Sequence, residues 1–192
     1  MQLLRPLVLA SHSPRRQQLL RDAGFTFRVE VRPTDERFPA DLPVAEVPAY
    51  LARQKAAQFR SGLADELVLC ADTIVVVDEV ILNKPADAHD AARMLRLLSG
   101  RSHRVMTGVC LLSADDEQTL TDTATVTFRD LTDAMIWHYI DHYRPFDKAG
   151  AYGIQEWIGM VGIERLEGSF YSIMGLPVHR VYDLLRPYCT PE

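Results

Sequence analysis

The chain has 192 residues, 47% hydrophobic and 24% charged, enough for one large domain or two lobes sharing a core. Its formal net charge of -5 excludes a general nucleic-acid binder, which needs a basic surface. Cys70, Cys110 and Cys189 lie far apart without CxxC spacing, no apolar run approaches membrane-spanning length, and "MQLLRPLVLASHSPRR" lacks the order of a signal peptide, so a reducing cytoplasm and no membrane are expected.

"PLVLAS" reads as a short buried strand, followed by a helix from about Pro14 to Ala23. Ser13 suits its N-cap, Pro14 its first position and Gly24 its C-terminal cap. "FTFRVEVRP" alternates and predicts a strand; "VAEVPAYLARQKAAQFR" predicts a helix with Pro48 near its start. "LVLCADTIVVVD" is a continuous apolar strand broken by Asp72 and Thr73. A loop with Lys84 and Pro85 leads to the amphipathic helix "AHDAARMLRLLSG", which Gly100 ends. "HRVMTGVCLL" and "TLTDTATVTFRD" are strands joined by a turn at Ala114 to Glu117, and "TDAMIWHYIDHY" is a helix. The glycine-rich "KAGAYGIQEWIGMVGIERLEGSFYSIMGLP" predicts a loop and a hairpin, and the closing helix puts Val178, Val181, Tyr182 and Leu185 on one side. This order means α/β with a mixed sheet and no internal boundary.

Three features carry chemistry. Arg15 and Arg16 sit in a first helical turn, where the helix dipole disfavours cations. A strand–loop–helix junction presents backbone N–H groups to an anion, and two guanidiniums there bind phosphate with Ser11 and Ser13 adding hydroxyls. The alternative is that both arginines reach water or surface carboxylates. Asp72 lies within an apolar strand, where it pairs with a Lys or Arg, meets a metal, or marks the strand's catalytic end. Pro85 favours an extended conformation at Lys84, and Lys55 lies one turn after Leu51, on the packed side of its helix. A phosphate-rich substrate accounts for Arg15, Arg16, Lys55 and Lys84 together, with Glu36 or Asp72 holding a divalent cation.

"LASHSPRRQQLL", "ADTIVVVDEVILNKP", "LSGRSHRVMTGV", "DKAGAYGIQ" and "EGSFYSIMGLP", in order from Leu7 to Leu185, together resemble the Maf family of nucleoside triphosphate pyrophosphatases. The resemblance implies one Maf-like domain over residues 1–192: a strongly twisted mixed sheet flanked by helices, with two lobes around a central cleft, as in the Maf and ITPase folds. It implies hydrolysis of a nucleoside triphosphate to the monophosphate and pyrophosphate with Mg²⁺ or Mn²⁺, and a homodimer. Asp72 matches the proton acceptor, and Arg15, Thr73 and Gln155 match positions linked to substrate choice. Ser13, Arg16, Glu36, Lys55 and Lys84 match polar residues of the cleft. "AGAYGIQ" resembles the subgroup acting on dTTP and UTP, and Gln155 carries a donor and an acceptor for the O4 and N3–H edge of uracil or thymine. The family commonly has glycine after this glutamine; this chain has Glu156. The expected role is housecleaning of pyrimidine triphosphates, against the alternative of a nucleotide-binding regulator of cell division with little catalysis.

His138 and His142 have the i, i+4 spacing of a zinc pair, but the aromatic neighbours Trp137, Tyr139 and Tyr143 favour packing. His103 is expected to stabilise the turn after "LSGRS".

Overall fold

A computed structural model describes residues 2–190. The first half of the chain forms β1 (Leu7–Leu9), α1 (Pro14–Asp22), β2 (Arg28–Val29), α2 (Val47–Ala57), β3 (Leu67–Val77), β4 (Val80–Leu82) and α3 (Ala88–Leu98). Then follow β5 (Ser102–Leu112), β6 (Glu117–Phe128), α4 (Asp133–Tyr143), α5 (Trp157–Gly162), β7 (Ile163–Glu167), α6 (Phe170–Ile173) and α7 (Val178–Leu185). The strands form one mixed α/β sheet in the order β2-β1-β3-β5-β6-β7, with β4 on β3. β1 runs parallel to β2 and β3, whereas β3–β4 and β6–β7 are antiparallel. No helix among the described residues is long and apolar enough to cross a membrane.

The chain divides into two compact units. The first comprises residues 1–72, 107–122 and 175–192. Its core includes Val8, Ala52, Phe59, Val68 and Leu112, with Cys70 and Cys110 fully buried among them. Burial pushes the Cys70 thiol well up and the Cys110 thiol to about 11, so both behave as small core residues rather than nucleophiles.

The second unit comprises residues 73–106 and 123–174. Phe128, Leu95, Leu98, Ile136, Tyr139 and Ile140 are almost wholly enclosed there. Its helices start where side-chain caps satisfy free N–H groups. Asp87 accepts from Asp90 N at 2.8 Å ahead of α3, and Thr132 accepts from Met135 N at 3.2 Å ahead of α4.

Four expectations need correction. The alternating "FTFRVEVRP" yields only the two-residue β2, because it pairs on one side alone, with β1, and Val29 and Val31 stay exposed. The segment before Lys84 holds β4, turned back on β3 through Asp78 and Glu79, both at positive φ. The glycine-rich stretch forms α5, β7 and α6 instead of a hairpin, and β7 pairs with β6. In α7, Leu184 takes the buried place expected of Tyr182, which is exposed.

Candidate active site

α1 begins in a loop held by serines. Ser13 N donates to Ser11 Oγ at 3.2 Å, and Ser13 Oγ accepts from Arg16 N at 3.5 Å, capping the helix as its sequence predicts. No acidic residue occupies the first turn. Instead the Arg16 side chain folds back onto backbone: Nε donates to Gly175 O at 2.7 Å and Nη1 to Ala71 O at 2.9 Å, with Ser11 Oγ at 3.4 Å. Desolvation lowers the Arg16 pKa and the charge of neighbouring Arg15 adds to that, while Asp72 and Glu36 act in the opposite sense. Arg16 therefore ties α1 to the backbone just before Asp72. Arg15 beside it is half-buried.

In β3 only Asp72 and Thr73 break an otherwise buried strand. Lys55, in the last turn of α2, places Nζ 2.5 Å from Asp72 Oδ1 and 2.8 Å from Glu36 Oε1. Lys55 lies on the packed side of its helix as expected, its side chain 16% exposed against 14% for Asp72 and 57% for Glu36. Asp72 and Glu36 thus share the Lys55 ammonium, and both also act electrostatically on the Arg16 guanidinium. Among the described residues no group of three or more His, Cys, Asp or Glu could hold a metal. Glu36 and Asp72 nonetheless fit Mg²⁺ or Mn²⁺: a hard cation in phosphate chemistry takes one or two carboxylates and completes its shell with phosphate oxygens and water.

The second unit carries Thr73, Lys84 and Gln155. Lys84 is exposed and followed by the buried Pro85, and Gln155 is exposed after the buried run Gly150–Ile154. Beside Gln155 lies a cluster the sequence did not announce. Glu156 accepts from the Tyr139 hydroxyl and pairs with Lys148 Nζ at 3.1 Å, and Lys148 also meets Asp147 Oδ1 at 2.7 Å. Tyr139 is fully buried and Lys148 nearly so.

A family model for Maf-like proteins matches residues 6–188. The chain belongs to the Maf family. A protein of Porphyromonas gingivalis named dTTP/UTP pyrophosphatase is 49% identical over 186 residues, covering 95% of this Maf chain and 94% of the relative. One of the same name from Cytophaga hutchinsonii is 46% identical over 186 residues, covering 97% and 85%. Among solved structures, a HAM1 protein from Coxiella burnetii overlaps with a TM-score of 0.46 at 16% identity, over 95% of this chain and 99% of that one.

Two histidine features of this Maf chain take structural roles. The rings of His138 and His142 are tilted to one another with centroids 4.2 Å apart, and His138 packs edge-on against Trp157. His103 does not brace a surface turn: it is buried in β5, with Nε2 2.7 Å from Tyr152 Oη and its ring stacked on Phe128. Residue type alone gave one signal for the missed cluster, a lysine and a glutamate inside otherwise small or apolar stretches, "DKAGAYG" and "IQEWI".

Proposed function

We propose that this chain hydrolyses dTTP and UTP, and modified pyrimidine triphosphates of the same shape, to the monophosphate and pyrophosphate. The names of its relatives support the substrate class. The observation that carries the chemistry is the part-buried Asp72 carboxylate held by Lys55 in a strand that is otherwise apolar.

Asp72 takes the proton from a water that attacks the α-phosphorus; the bond between that phosphorus and the α–β bridging oxygen breaks, and pyrophosphate leaves. Lys55, Arg15 and Lys84 stabilise phosphate charge, with Ser13 and Thr73 donating hydroxyl hydrogen bonds. Arg16 holds the loop that presents them. Gln155 reads the base, accepting from N3–H and donating to O4. A divalent cation held by Asp72 and Glu36 neutralises charge on the polyphosphate when bound. Three free thiols, two of them deeply buried, suit a reducing cytoplasm.

The test is a pyrophosphate-release screen over common and modified nucleoside triphosphates with Mg²⁺ and Mn²⁺ in turn, run on the wild type and Asp72→Asn. Release from dTTP and UTP that vanishes in Asp72→Asn, with nucleotide affinity kept within about tenfold, or roughly 1.4 kcal/mol, is expected. Nucleotide binding without release by the wild type overturns the reading in favour of a regulator.

A further inference from the structure

Glu156 stands immediately after Gln155, at the closing position of a turn. Glu156 N donates to Gly153 O at 3.0 Å, so residues 153–156 form one reverse turn with Gln155 at its third position. The backbone closure is repeated by side chains. The Tyr139 hydroxyl donates to Glu156 Oε2 and accepts from Gly153 N at 2.9 Å, so a single oxygen links the two ends of the turn. Burial, with the Glu156 carboxylate beside it, pushes the Tyr139 phenol far above its ordinary pKa, which keeps it a donor throughout the working range. The second carboxylate oxygen is held by Lys148 Nζ at 3.1 Å, and Lys148 is itself nearly buried and fixed to Asp147.

The backbone is shaped for this clamp. A Cβ on Gly153 would fall 2.9 Å from Glu156 Cδ and 3.0 Å from Lys148 Cε, so a larger residue there would push on the two side chains where they meet. A Cβ on Gly159 would fall 1.8 Å from Ile154 O, so α5 presses onto the backbone just before Gln155. Tyr152 and Ile154 are 5% exposed, leaving Gln155 as the one side chain of residues 152–155 that opens to solvent. Every neighbour of Gln155 is pinned, and the pin is built on a charged residue.

We infer that Glu156 is a specificity-positioning residue: with Tyr139 and Lys148 it fixes the turn that carries Gln155, and so sets discrimination between pyrimidine bases that differ at position 4. The inference rests on Gln155 reading the base. With the backbone beneath it fixed, only the Gln155 side chain is left to order when its amide pairs with the N3–H and O4 edge, and a 4-amino pyrimidine with the reversed pattern must be met from that same fixed position.

The experiment compares kcat and KM for UTP and CTP in the wild type, Glu156→Ala, Glu156→Gln, Tyr139→Phe and Gln155→Ala, with hydrogen exchange of the amides of residues 153–156. Glu156→Ala is expected to raise KM for UTP about tenfold with kcat within about threefold, and to shrink the UTP-to-CTP ratio of kcat/KM about tenfold. Gly153 N–H should exchange at least tenfold faster. Glu156→Gln, which still accepts from Tyr139, should restore most of the discrimination, and Tyr139→Phe should follow Glu156→Ala. A folded Glu156→Ala with unchanged discrimination overturns the inference, as does equal loss of kcat/KM for both nucleotides, which marks a structural role only. If Gln155→Ala leaves the UTP-to-CTP ratio intact, the base-reading role has failed and the inference fails with it. If Gln155→Ala collapses the ratio and Glu156→Ala does not, the inference alone fails.

Discussion

Lys55 Nζ lies 2.5 Å from Asp72 Oδ1, joining the last turn of α2 to the one charged position of β3. Both side chains are largely shielded from water, so removing either leaves an incompletely solvated charge. Lys55→Ala should destabilise the fold by about 2 kcal/mol, less than the roughly 3–5 of a fully buried pair because both ends keep some exposure. Asp72→Asn should cost less, since the amide still offers an acceptor and Glu36 still holds the ammonium. Urea unfolding of both single variants and the double variant gives the coupling; additive effects would show that the pair stabilises nothing.

The adjacent arginines should respond differently to substitution. Arg16 makes two charge-assisted hydrogen bonds to the carbonyls of Gly175 and Ala71, so Arg16→Ala should lose about 2–4 kcal/mol of stability. Arg16→Lys should recover little, because one ammonium cannot reproduce the planar fork that spans both carbonyls. Arg15→Ala should change stability by no more than about 1 kcal/mol, yet weaken triphosphate binding and alter base preference. Thermal melts paired with KM measurements over several nucleotides separate the two. Identical kinetics in Arg15→Ala would remove that residue from the site.

Both arginines, Asp72 and Lys55 were legible because each breaks a local rule: cations at a helix N-terminus, a carboxylate in an apolar strand, a lysine on a packed helix face. That Arg16 binds backbone was not legible, since the carbonyls that receive it lie 55 and 159 residues away in sequence. The long strands β3, β5 and β6 and the helices α1 to α4 followed their apolar patterning, whereas β2 did not. β4 escaped because its turn uses Asp78 and Glu79 at positive φ instead of Asn-Gly or Asp-Gly. α5 escaped because it is set by a contact: Gly159 sits where a Cβ would overlap Ile154 O, and six residues containing two glycines give no helical periodicity. The Tyr139–Glu156–Lys148 cluster joins a helix to a loop, and no spacing rule connects them.

His103 supplies a pH dependence of stability. Desolvation lowers its pKa from 6.5 to about 4, so the folded state keeps the ring neutral where the unfolded chain has already protonated it. Between those values the unfolded state binds more protons, and stability rises with pH. The contribution is complete above about pH 6.5 and is lost as pH falls toward 4, amounting to about 3 kcal/mol. His103→Gln, which can still meet Tyr152 Oη, should flatten this part of the stability-against-pH curve. Parallel curves for wild type and variant would show that His103 does not titrate with folding.

Gly108 connects packing to chemistry. It is buried in β5, and a Cβ there would stand 2.1 Å from Pro48 C, 2.2 Å from Pro48 O and 2.3 Å from Ala49 N. All three are backbone atoms in the first turn of α2, so no rotamer change relieves the overlap; the helix itself must move. α2 also carries Lys55 seven residues past Pro48, about two turns along the same face. Gly108→Ala should therefore cost more than about 3 kcal/mol, and the fraction that folds should lose activity because Lys55 no longer reaches Asp72. Gly108→Ala combined with Lys55→Ala distinguishes the routes. If the activity loss passes through Lys55, adding Gly108→Ala to Lys55→Ala should change the residual kcat/KM by no more than about threefold, because the group that the helix shift displaces is already gone. A Gly108→Ala protein with wild-type melting would mean that α2 accommodates the methyl without shifting, and would detach this glycine from the site.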